Sequence, residues 1–253
     1  MSDRVSVLVA HYAKEAEPFL EYCMKALSKQ TLKPHEIILV SSNNIPSCNL
    51  YGQPDQHYHS PTRMHFPEAI EKAYSMSDPT SEYIFILNDD AILSKHTLEI
   101  LVRTMQGFPK EIILNPRSNC SPCTGFYFAL NGSVVDGSFV ELPVQMRGDD
   151  LQHTLDSFIE HSLSYPYAMI PVPFAALFAT LIKRSTYEKI GKINPRFRTG
   201  SDDAELALRA SKYGIGCWTA LHAACAHASG ISADVGLTDE DRNFNMQLMR
   251  DLS

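Results

Sequence analysis

Three groups of side chains in this sequence are of types that do chemistry. The first is Asn88, Asp89 and Asp90 inside EYIFILNDDAIL (82–93), where an apolar run ends against two adjacent carboxylates with no lysine or arginine in the stretch. Neighbouring carboxylates repel, and a cation beside them relieves the repulsion. Two readings stand open: a divalent metal held by the acids, or an Asx-type turn whose short polar side chains bond nearby amides and close the strand. The second group is Asp202, Asp203 and Glu205 in SDDAELALRASKYG (201–214). Acids in a helical first turn complement the macrodipole whatever the function, while a carboxylate placed there could also take a proton from a nucleophile. The third is His227 in HAACAHASGIS (222–232), among small residues that leave its ring open to a metal. A purely structural histidine is the alternative, and His222 competes with it for a ligand role.

These groups need a scaffold, and the hydrophobic pattern supplies one. VSVLV (5–9) reads as a strand; Phe19, Leu20, Cys23, Met24 and Leu27 then share one helical face, and EIILV (36–40) is a second strand. Pro67 opens a helix that carries Ala69, Ile70, Ala73 and Tyr74 on one side. The strand YIFIL follows, then a helix with Leu98, Leu101, Val102 and Met105 in phase, Ser94 as its expected cap and Gly107 and Pro109 as its stop. EIIL (111–114) is the next strand. Such alternation predicts a mostly parallel α/β sheet with helices on its faces, and ligands in such sheets bind beyond the carboxyl ends of the strands. Asn88, Asp89 and Asp90 stand at one such end. From 116 to 170 the pattern loosens into variable loops and a hairpin. It resumes with an expected strand over FAALFATLIKR (174–184), a short helix ending at Gly191, a helix over 201–214 capped by Ser201, and a last helix near DRNFNMQLMRDL (241–252).

With 253 residues, 44% of them hydrophobic, the chain can bury one substantial core, and a single domain over 1–253 is expected. A net charge of -7 argues against a broad electrostatic grip on nucleic acid. No apolar run of about 18 residues and no secretory signal is visible, so a soluble, cytoplasmic protein without a membrane span is the expectation. Cys120 and Cys123 form a CxxC, but a zinc ribbon requires a second such pair. The cysteines therefore read as surface or half-buried thiols of a reducing compartment, with a disulfide between those two as the alternative.

Order and spacing bring the three groups together. The stretches VSVLVAHYAKEAEPFLEYCMKALSKQTLKPHEIILVSSN, SEYIFILNDDAIL, LFATLIKRSTYEKIGKINPRFRTGSDDAELALRASKYG and HASGIS, in that order, resemble the family 2 glycosyltransferases of the GT-A fold. The resemblance implies a metal-dependent, inverting transfer of a sugar from a nucleotide-sugar donor to a hydroxyl of a glycan or another acceptor. It implies Asp90 and His227 as ligands of Mn²⁺ or Mg²⁺, Asn88 and Asp89 near the diphosphate or ribose, and an acid pair Asp202 and Asp203 with Asp203 as general base. It divides the chain into a nucleotide-sugar half (1–115) and an acceptor and catalytic half (171–253). Three departures bear on the donor. Ser41, Ser42, Asn43 and Asn44 stand where the family usually has an acid after the second strand, Asn88 replaces an acid at the head of the metal motif, and Ala10, His11, Tyr12 and Ala13 replace a PTYN-like turn. His11 and Tyr12 are candidates to stack on or bond a nucleobase, and Arg63 is a candidate to meet the diphosphate. A non-catalytic member that binds a nucleotide sugar or a glycan is the rival expectation.

Overall fold

The computed structural model describes residues 3–12, 16–43, 46, 53–118, 167–227 and 238–252. Their strands form one nine-stranded sheet. β1 (Val5–His11), β2 (Glu36–Ser42), β3 (Gln56–Ser60), β4 (Tyr83–Asn88), β5 (Ala91–Leu93), β6 (Ile112–Ser118), β7 (Met169–Val172), β8 (Ala179–Lys183) and β9 (Gly216–His227) pair in the order β3-β2-β1-β4-β8-β6-β9-β5, with β7 also on β9. The expected strands β1, β2 and β4 run parallel as their pattern predicts, and β3, which the pattern does not show, joins them in parallel. Beyond them the sheet is mixed. β8 lies antiparallel between β4 and β6, β9 runs parallel to β6, and β5 and β7 pair antiparallel with β9.

Central parallel strands must be apolar on both faces, and the alternation of side chains decides which helix each residue meets. Val5, Val7, Val9, Leu39, Phe85 and Leu87 pack with Leu20 and Met24 of α1 (Glu17–Ser28) and with Leu98 and Leu101 of α3 (Thr97–Gly107). Leu8, Ile38, Val40, Ile84 and Ile86 face the other way. They meet Ile70 of α2 (Phe66–Met76), Tyr187 of α4 (Arg184–Lys189) and Leu206 of α5 (Asp202–Ser211). A sixth helix, α6 (Asp239–Leu252), ends the described chain.

Several expectations need correction. Ser94 does not cap α3: His96 holds the cap position, and the Leu98 amide of the first turn donates instead to Gln30 Oε1 at 3.0 Å. Ser201 caps α5 without any side-chain hydrogen bond, because it sits in the left-handed region at φ 63°. The strand expected over 174–184 is only Ala179–Lys183, extended by one further bond to β4 in which the Phe178 carbonyl accepts the Asn88 amide at 2.8 Å. Cys23, Cys217 and Cys225 are buried rather than surface thiols. Cys48, Cys120 and Cys123, and most of the loops expected over 116–170, lie outside the described residues.

Candidate active site

The turn after β4 and the end of β9 meet at one edge of the sheet. Ala91 opens β5 in register with His227, so the strand pairing itself places His227 beside the residue that precedes Ala91, which is Asp90. His227 Nε2 lies 3.0 Å from Asp90 Oδ1. The Phe178 ring stacks on the imidazole at 4.5 Å and 9°, fixing its plane, and Asn88 Nδ2 is 3.5 Å from His227 Nε2. Yet the approach of His227 to Asp90 is not aligned as a hydrogen bond, and the buried Asp90 Oδ1 has no hydrogen-bond partner among the described residues. An orphaned buried carboxylate oxygen is costly unless something completes it. An oxygen and an imidazole nitrogen aimed together suit a divalent cation of the Mg²⁺ or Mn²⁺ kind. No cluster of three or more histidine, cysteine or acidic residues with metal-binding geometry occurs among the described residues. A cation here would therefore draw further oxygens from phosphate or water. His222 takes no part: its Nε2 is 3.2 Å from Thr104 Oγ1, and its ring lies against Tyr167.

Asp89 turns inward. Its Oδ2 lies 2.6 Å from His11 Nδ1, and burial pushes its carboxyl above the ordinary value while the bond to His11 opposes the rise. Asp89 thus orients the imidazole that closes β1. Next to it, the register sets His11 beside Ser41 and Ser41 beside His59. Ser41 Oγ contacts His57 Nε2 at 2.8 Å and His59 Nδ1 at 3.0 Å. Burial, followed by the neighbouring His59 and His11, pushes the His57 imidazole down from its usual value. A single hydroxyl proton can serve only one of two imidazoles, so one ring donates to Ser41 and the other accepts from it. Pattern reading passed over His57 and His59 because QHYHS alternates no apolar residues; a His-x-His two residues apart was the available signal.

Beyond β1, the Arg63 guanidinium lies over the Tyr12 ring at 5.2 Å and reaches Asp241 of α6 at 3.8 Å. Asp241 also binds Arg198 at 3.1 Å, and the Thr199 hydroxyl accepts the Phe66 amide at 3.3 Å. These contacts bring the segment before the acid pair to the same edge as Tyr12. Of the three acids, Glu205 is committed to structure, since both of its oxygens bind Arg209 at 2.6 and 2.7 Å. Asp202 is buried with Oδ1 on the Gly200 amide at 3.0 Å. Burial, reinforced by Asp203, pushes its carboxyl up to about 7. Asp203 is less enclosed; burial raises its carboxyl too, and its Oδ1 accepts the Ala204 amide at 2.7 Å. The acid pair forms a second group, and α6 ties the segment before it to Arg63.

The model of the family described as "Glycosyl transferase family 2" matches residues 6–191. The chain belongs to glycosyl transferase family 2. The matched residues of this family 2 chain include Asp89 and Asp90 and stop short of Asp202, Asp203 and His227, which rest on the geometry above. No curated protein matches it in sequence. Among solved structures, GalNAc-T7 with UDP, GalNAc and Mn²⁺ superposes with a TM-score of 0.58 at 12% identity over 88% of this chain. A mannosyltransferase, PcManGT from Pyrobaculum calidifontis, in complex with GDP-Man and Mn²⁺, gives 0.55 at 16% identity over 90%. At these identities the likeness concerns the GT-A fold. This chain spans 43% of the first and 57% of the second. No helix among its described residues is long and apolar enough to cross a membrane.

Proposed function

We propose that this family 2 member is a metal-dependent, inverting glycosyltransferase that moves a sugar from a nucleoside diphosphate to a hydroxyl acceptor. The observation that carries the proposal is the meeting of Asp90 Oδ1, buried and without a hydrogen bond, with His227 Nε2 at 3.0 Å. Those two residues would hold Mn²⁺ or Mg²⁺. When bound, such a cation offsets the charge that develops on a departing diphosphate. Arg63, steadied on Tyr12 and paired with Asp241, would meet the same phosphates. His57 and His59, bonded to the buried Ser41, are the groups of that edge a nucleoside would meet, while His11, oriented by Asp89, is buried.

Asp203 would accept the proton of the attacking hydroxyl. Its raised carboxyl is a better base near neutral pH than an ordinary aspartate, and one carboxylate opposite the leaving group gives a single displacement with inversion. The buried Asp202 supports it by holding the Gly200 amide. Incubating the protein with Mn²⁺ and a panel of UDP- and GDP-sugars should release free nucleoside diphosphate, which EDTA abolishes. Asp203→Asn should keep Mn²⁺-nucleotide binding while losing transfer by at least ~100-fold. Normal turnover by that variant removes Asp203 from the role of base. A binding-only member is the second reading, favoured by the neutral Ser41 set in place of an acid. It predicts saturable nucleotide-sugar binding with no hydrolysis under any of these conditions.

A further inference from the structure

The α6 helix contributes one enclosed polar side chain to the segment that delivers the acid pair. Asn245 is 2% exposed. Its Oδ1 accepts the Arg198 amide at 2.9 Å, and its Nδ2 donates to the carbonyls of Arg198 and Gly200, the latter at 2.8 Å, with the Thr199 carbonyl at 3.5 Å. One carboxamide thus reads the polar backbone of three successive residues. These lead into an unusual bend: Gly200 has φ 104° and Ser201 φ 63°, two consecutive residues in the region that favours glycine. Asp202 Oδ1 closes the bend on the Gly200 amide. Backbone of that kind persists only where its surroundings over-determine it.

The helix that carries Asn245 is itself anchored on both partners. Thr238 and Asp241 cap its start reciprocally, with the Asp241 amide on Thr238 Oγ1 at 3.1 Å and the Thr238 amide on Asp241 Oδ2 at 3.1 Å. Asp241 then ties the same turn to Arg198 and Arg63. An apolar residue at 245 would fill the volume but leave the carbonyls of 198 and 200 unanswered in the interior.

We propose that Asn245 is a positioning residue of the transfer reaction: its carboxamide holds the 198–201 bend so that the Asp203 carboxylate meets the acceptor hydroxyl. The inference rests on the reading of Asp203 as the base. It acts through backbone geometry, and misplacement of about 1 Å at a reacting group can cost on the order of 100-fold in rate. The expected signature is a split between kinetic constants, because the Asp90 and His227 pair is held by the β5–β9 register, which Asn245 does not touch.

The test compares wild type, Asn245→Ala, Asn245→Asp and Asp203→Asn, with Met246→Ala, whose side chain is 50% exposed on the same helix, as control. Asparagine-to-aspartate preserves shape and acceptor but removes both donors. With Mn²⁺ and the UDP- or GDP-sugar that wild type hydrolyses fastest, both Asn245 variants should lose at least ~30-fold in kcat while KM for the sugar nucleotide stays within about threefold. Hydrogen exchange of the 198–204 amides should accelerate at least ~10-fold in both, with the β1–β4 amides unchanged. Should Asn245→Ala fail to fold, Asn245→Ser, which retains a hydroxyl for one carbonyl, carries the measurement. Unchanged kcat, a loss confined to KM, or unchanged exchange at 198–204 overturns the proposal. If Asp203→Asn is inactive while the Asn245 variants turn over normally, this inference alone fails. Full activity of Asp203→Asn, or no turnover by wild type with any sugar, overturns the underlying reading and this inference with it.

Discussion

Asp202 and Asp203 are neighbours in the chain but not in environment, and the difference is measurable. Asp202 is buried at the start of α5 with its carboxyl pushed up to about 7 from an ordinary 3.8. For an acid raised in this way, the unfolded chain releases its proton first. The folded state binds more protons between the two values, so stability falls as pH rises from about 4 to about 7 and stays low above that. Asp202→Asn retains an acceptor for the Gly200 amide and removes the titration. Denaturant melts should show the variant gaining roughly 1–4 kcal/mol over wild type at pH 8 and nothing at pH 4. A parallel pair of pH profiles excludes the assignment. The acids themselves were legible in the sequence, because NDD at a strand end and SDD at a helix start are unusual concentrations of charge. Asp90 with His227 was legible as types and order. Its decisive feature, the orphaned Oδ1, was not, since it depends on the β5–β9 register.

At the scale of elements, Gln30 and Thr31 show how much two adjacent residues can hold. Gln30 is buried where α1 ends. Its Nε2 donates to the Ser94 carbonyl at 2.7 Å, and its Oε1 accepts the Leu98 amide at 3.0 Å. Thr31 adds its amide to the Lys95 carbonyl at 2.9 Å and its hydroxyl to Glu99 at 2.7 Å. The side chain of one helix's exit thereby caps the entry of α3, directly after Asp89, Asp90 and β5. Gln30→Ala leaves the buried Leu98 amide unanswered, while the Ser94 carbonyl keeps the Thr97 amide at 3.2 Å, so it should cost about 1–3 kcal/mol in a denaturant melt. It should also weaken Mn²⁺-nucleotide binding, because β5 sets the position of Asp90 relative to His227. Gln30→Glu, which keeps the acceptor, should retain part of both; equal loss in the two variants argues against the cap. Strong 3.6-residue patterns made α1, α2, α3 and α5 readable. β3 and β9 escaped for a physical reason: QHYHS is polar, and GCWTALHAACAH is rich in alanine, which has little intrinsic preference for strands. Their place is set by pairing with β2 and β6, which no local pattern encodes.

The whole molecule is organised by a crossover that a division into sequential halves conceals. β8 from the second half is inserted between β4 and β6 of the first, and β9 pairs with β6 on one side and β5 on the other. Asp90 and His227 meet only because this interleaving returns the end of the sheet to its middle. Both cores also draw on both halves: Phe178, Leu181 and Ala223 join Val7 and Phe85 on one face, and Tyr187 and Leu206 join Leu8 and Ile86 on the other. Neither half can bury its strands alone, so the described sheet should unfold in one step. The single tryptophan, Trp218, lies in β9 with its ring 5.2 Å from Phe108 after α3, and its fluorescence therefore reports the junction. Urea transitions followed by Trp218 fluorescence and by far-UV circular dichroism should coincide. Saturating Mn²⁺ with UDP or GDP should move both midpoints upward together, by an amount set by ligand concentration over its dissociation constant. Fluorescence that changes at a lower urea concentration than the dichroism would mean that β9 detaches first, and that the pairing of Asp90 with His227 is not held by the fold as a whole.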